Sequence, residues 1–119
     1  MRRTIVALSM LCLLAWPVTA AETDTGKALY VKYCGACHGP EAKGDGIAGT
    51  FMRPKPPDLT LIAKRNHGEF PAQKTMEIID GRKTVRAHGD PDMPVWGEML
   101  HDQEKLRLIT DYLGTIQRK

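Results

Sequence analysis

The sequence predicts a small all-α domain in which helices near both ends frame short helices and long irregular loops. Three observations carry that reading. Leu106, Ile109, Leu113 and Ile116 recur at intervals of three and four, the single apolar stripe of an amphipathic helix. No stretch shows the period-two alternation of a half-buried strand. Residues 39–60 and 82–97 hold segments such as GPEAKGDGIAG, RPKPPD and DPDMPVWG, in which glycine and proline interrupt regular structure.

The elements follow in order. Residues 1–20 begin with Arg2 and Arg3, continue through an uncharged apolar run, and end in the small residues Val18-Thr19-Ala20. This is the three-part pattern of a secretory signal peptide, and the run is short for a membrane span. The expected mature domain is 21–119. A helix over 24–36 is capped by Asp24 or Thr25, with Gly26 and Tyr30 on one face and Leu29 and Tyr33 on another. Asp58 or Thr60 opens a short helix over LTLIAKR. Another covers 71–80, with Pro71 tolerated in its first turn and Gly81 stopping it. The clearest helix is 102–117, capped by Asp102.

Composition narrows the class. With 42% apolar and 26% charged residues the chain is neither disordered nor fibrous. Without Arg2 and Arg3 the 17 basic residues become 15 against 14 acidic, a net +1, which does not support a nucleic-acid partner. Aromatics are 6%, and so short a domain builds only a thin core from its own side chains.

The chemistry concentrates in YCGACHGP, residues 33–40, where Cys34, Cys37 and His38 fall within five positions. A Cys34–Cys37 disulfide would close a tiny loop and do little for a thin core. Zinc normally takes four nitrogen or sulfur ligands, yet the expected mature chain has no further cysteine, and His67, His88 and His101 are scattered. A thioredoxin-like site needs a strand-to-helix junction, and none is evident. The remaining reading is C-x-x-C-H as the attachment pattern of a c-type haem. Thiols three apart at a helix end lie on one side and can reach two vinyl groups of one macrocycle, which places the His38 imidazole under the iron. A haem also supplies the large apolar surface that the sparse core lacks, and export suits covalent haem attachment.

One axial position is then left. Met93 is the favoured ligand: it lies in a loop before Pro94, which stiffens the backbone there and favours an extended residue 93. It also follows His38 by enough chain to reach the opposite face. Met76 beside Ile78 and Ile79 reads as core filler, Met52 sits too soon after the motif, and Met99 falls in a short helix or turn. His88 is the main rival, followed by an open position.

On CGACHG, MPVWG and the helix DQEKLRLITDYL, with GDGIAG and PPDLT between, the sequence resembles the class I c-type cytochromes over most of residues 24–117. The resemblance implies a small cytochrome c fold with its N- and C-terminal helices crossing and its loops wrapped around one covalently bound haem. It implies that Gly26 and Tyr30 meet Ile109 and Tyr112 at that crossing. It implies that a proline carbonyl accepts the His38 Nδ1 hydrogen, with Pro54 favoured over Pro56 and Pro57. Trp96 would sit at the haem edge, with Arg53 or Arg65 near a propionate.

The expected function is a periplasmic electron carrier with one haem c, iron ligated by His38 and Met93, Cys34 and Cys37 as thioethers, and no small-molecule substrate at the iron. Its partners would be a redox donor and acceptor protein, met transiently, and membrane association would come only through those partners or an uncleaved leader. A haem subunit fixed in a dehydrogenase or oxidase complex is the second reading. A gas-binding, sensory or peroxidase-like protein, the third, requires an open or labile sixth site.

Overall fold

The structure is a computed structural model and describes residues 19–81 and 102–119. Those residues form five α-helices and two short 3-10 turns, with no strand among them. The helices are α1 (Ala20–Tyr33), α2 (Gly35–His38), α3 (Ile62–Arg65), α4 (Ala72–Ile79) and α5 (Gln103–Thr115). The 3-10 turns are Ala48–Phe51 and Leu59–Leu61.

Helix α1 starts four residues earlier than expected. Thr19, and not Asp24 or Thr25, is its cap: the Thr19 hydroxyl accepts from the Glu22 N–H at 3.3 Å, while the Glu22 carboxylate accepts from the Thr19 N–H at 3.0 Å. This reciprocal pair satisfies two of the otherwise free donors at the helix start. At the far end α1 stops at Tyr33, and after Cys34 the chain makes a separate single turn, α2, where one continuous helix was expected. Helix α5 matches its stripe. Leu106, Ile109 and Leu113 are buried, Ile116 packs against them, and the Asp102 carboxylate caps the helix through the Glu104 and Lys105 N–H groups.

The core forms where α1 crosses α5. Gly26 lies so close to α5 that a Cβ there would fall on the Leu108 carbonyl oxygen and 3.0 Å from the Tyr112 Cβ. Only the missing side chain lets the two backbones approach this closely. One turn further on, the rings of Tyr30 and Tyr112 lie 5.5 Å apart at 45°, a tilted aromatic pair. The crossing anticipated from Gly26, Tyr30, Ile109 and Tyr112 is therefore present, with the Leu108 backbone as the closest contact. Outside it, Arg107 on α5 bonds Glu22 on α1 at 3.1 Å, as well as Glu104 and Asp111 on its own helix.

A second tie closes the other side. After α5 the Gln117 amide accepts from the Ala63 N–H at 2.8 Å and donates to the Leu59 carbonyl at 2.9 Å. Arg118 donates from its backbone to the Thr60 carbonyl, and from its side chain to the Thr60 hydroxyl at 2.8 Å and the Asp58 carboxylate at 2.6 Å. The 3-10 turn and α3, too short to hold themselves, are fixed by these bonds.

Candidate functional site

The site is built from the end of α1 upward. The Cys34 carbonyl accepts from the Cys37 N–H at 3.2 Å and from the His38 N–H at 2.9 Å, which winds the five residues of the motif into one turn. The Tyr30 hydroxyl, fully buried, donates to the Gly39 carbonyl at 2.8 Å and pins the exit of that turn to α1. The Gly44 N–H then bonds the His38 carbonyl at 2.8 Å. His38 ends up 7% exposed. No disulfide joins Cys34 and Cys37. Burial, followed by the neighbouring Cys37, pushes the Cys34 thiol up to about 12, so it is held as a neutral thiol in an apolar setting.

The glycine-rich loop is seated on this turn. A Cβ at Gly46 would fall on the Ala36 carbonyl oxygen and within 2.6 Å of the Cys37 carbonyl group. A Cβ at Gly49 would meet the Cys37 oxygen and the Pro56 ring. The sequence marked this stretch only as a turn-rich loop; its function in the fold is to let two backbones touch.

Cys34 and His38 face a cavity of about 220 Å³. Its apolar wall comes from Leu59, Ile62, Ile78, Ile79 and Leu113, and Arg65, Asn66 and Lys74 add polar groups to the lining. A buried imidazole, a half-buried thiol and an aliphatic wall fit a flat apolar macrocycle bearing a metal, and cations in the lining suit carboxylates carried on it. No group of three or more His, Cys, Asp and Glu side chains converges as a metal-ion cage among the described residues.

Of the residues singled out in the sequence, Cys34 and His38 share this cavity. Cys37 lies on the same turn, half-buried. Arg53 and Pro54 are exposed and do not line the cavity; the Arg53 guanidinium bonds the Thr50 and Met52 carbonyls at 3.0 and 2.8 Å. Pro57 and Arg65 do line it. Met76 packs against the core, as filler does. Met93, Trp96, His88 and Met99 lie outside the described residues. Sequence reasoning missed Lys74, Ile78 and Ile79 as lining; the four-residue spacing of Lys74 and Ile78 on α4 was the available signal.

A small all-α domain whose first helix runs into paired thiols and a buried imidazole beside an apolar cavity defines a c-type cytochrome. The family described as cytochrome C oxidase, cbb3-type, subunit III matches residues 21–113, and the chain belongs to that family. No curated protein and no solved structure gives a significant match. Membership implies a covalently bound haem c and haem-based electron transfer, and makes the protein an electron carrier and not a catalytic enzyme.

Proposed function

We propose that the chain is an exported periplasmic carrier of one haem c, which Cys34 and Cys37 would hold through thioethers, with His38 and Met93 as the residues that would bind its iron. When bound, the haem supplies reversible one-electron storage. The observation that carries the reading is the opening of Cys34 and His38 onto one apolar cavity. The protein's part is to keep that environment unchanged through the redox cycle. The α2 turn fixes the imidazole, the Tyr30–Gly39 bond fixes the turn, and the aliphatic wall excludes water, which favours the less charged reduced state. A sulfur ligand raises the potential further relative to a second histidine. With both His38 and Met93 as ligands, the iron would offer no position to a substrate.

Visible spectra of the oxidised and reduced holoprotein test this. A low-spin haem whose ferric form shows the weak far-red band of sulfur ligation is expected, and Met93→Ala should abolish that band. A high-spin spectrum that Met93→Ala leaves unchanged overturns the axial assignment. Cys37→Ala should leave a single thioether, read as a red shift of the reduced pyridine haemochrome band because one vinyl group stays unsaturated, with intact mass showing the haem still attached.

The family description favours a second reading, a haem subunit resident in a terminal oxidase. Among the described residues no helix is long and apolar enough to cross a membrane. Copurification with oxidase subunits through high-salt washing supports residence, and release at modest salt supports a mobile carrier.

A further inference from the structure

Two large apolar side chains stand almost fully in solvent: Ile47 is 82% and Phe51 83% exposed. They flank and close the 3-10 turn Ala48–Phe51, which holds its shape. The Thr50 hydroxyl donates to the Ile47 carbonyl at 2.7 Å, the Met52 N–H to the Gly49 carbonyl at 3.2 Å, and the Arg53 guanidinium reaches the carbonyls of Thr50 and Met52. From below, Gly46 and Gly49 press the turn onto the Ala36 and Cys37 carbonyls. The two side chains are therefore presented outward by a turn seated on the backbone of the Cys37 attachment position. Exposed apolar groups fixed in this way mark interaction sites. Past Phe51, Arg53 and Lys55 are exposed, and neither has a carboxylate partner among the described residues.

We propose that the Ile47–Phe51 turn is the docking knob for the redox partner, entering an apolar recess on a protein whose rim carries carboxylates opposite Arg53 and Lys55. The proposal rests on the reading that Cys37 carries the haem, since the knob would then bring the partner to the haem edge, where electron transfer is shortest. Charge selects the occupant. In a symmetric pair of these chains centred on the knob, Arg53 and Lys55 of one copy would face those of the other. An anionic lipid surface would meet Asp45, exposed two residues before Ile47, while Glu41 is already ion-paired with Lys43. A protein rim can place its charges one by one, and a small apolar centre with charged edges suits a transient redox contact.

The test uses holoprotein and, as probe, the purified detergent-solubilised haem–copper oxidase of the same organism. Wild type is compared with the double variant Ile47→Ser/Phe51→Ser and with Arg53→Glu/Lys55→Glu. The apolar double variant should be oxidised by the oxidase about tenfold more slowly or worse, while its oxidation by ferricyanide and its midpoint potential stay at wild-type values. The charge variant should lose rate at low salt and no longer slow as salt rises. A double variant that keeps the full rate overturns the proposal, as does one that slows equally with ferricyanide. Binding to phosphatidylethanolamine–phosphatidylglycerol vesicles that the Ser variant loses would make the occupant a lipid surface, and a dimer that it loses would make it a second copy; either overturns the partner assignment. A wild-type chain that takes up no haem fails differently: it removes the functional reading itself.

Discussion

The Tyr30 hydroxyl donates to the Gly39 carbonyl at 2.8 Å from a side chain with no solvent exposure. The bond joins the first helix to the residue after His38. Burial, aided by nearby Cys34 and Tyr112, drives the phenol well above its ordinary pKa, so it stays a donor at any pH the protein meets.

Tyr30→Phe keeps the ring contact with Tyr112 and leaves the Gly39 carbonyl without this donor. It should cost about 1–2 kcal/mol of stability, read by denaturant unfolding of the holoprotein. Its reduced spectrum should remain low-spin, because the α2 turn keeps its own backbone bonds.

Gly26→Ala sets two effects against each other. Alanine gains about 1 kcal/mol of helix propensity. Its Cβ, however, would land on the Leu108 carbonyl oxygen, where backbone and not a flexible side chain must yield, and overpacking of this kind costs about 1–3 kcal/mol. Net destabilisation is expected, larger for Gly26→Val, and an Ala variant as stable as wild type in thermal melts would show that the helices can separate freely.

The clasp by Arg118 has a pH signature. Burial raises the Asp58 pKa, but bonds from Thr60 and Arg118 outweigh it and hold the carboxyl below its ordinary value. A depressed carboxyl contributes stability that is present above its unfolded pKa and is lost as pH falls through the folded one. Arg118→Gln should therefore raise the acid-unfolding midpoint and cost about 1 kcal/mol near neutrality, the exposed guanidinium end being screened by solvent. Above pH 9 this bond should contribute no further pH dependence.

If export removes residues 1–20, α1 loses Thr19 and its capping box. Glu22 would then keep Arg107 as its partner across the crossing. Intact mass should place the mature start at Ala21, and chains made with and without Thr19 should differ by about 1 kcal/mol in favour of the capped one.

How far the sequence reached can be judged from these same residues. Helix α5 was legible because its stripe and its Asp102 cap agree, two independent signals at one place. Gly26 and Tyr30 were anticipated through the resemblance to the class I c-type cytochromes, and the contact of Gly26 with the Leu108 backbone supplies the physical reason. The start of α1 was not, since placing residue 19 in a leader took the cap out of consideration. The choice among prolines was not legible either. Pro54 and Pro57 are alike in sequence, and only the folded path of the loop, with Gly44 against the Pro56 and Pro57 backbone, brings Pro57 to the cavity. The α4 wall was hidden because eight residues give too short a stripe to distinguish a core face from a ligand face.

The backbone contact of Gly26 with α5 has a topological result. Segments from the start and finish of the domain meet there, so a long stretch of chain is closed into a ring by non-covalent contact alone. Forming that ring carries an entropy cost that rises only slowly with its length, so insertions into the intervening loops should be tolerated better than a single added methyl group where the ring shuts.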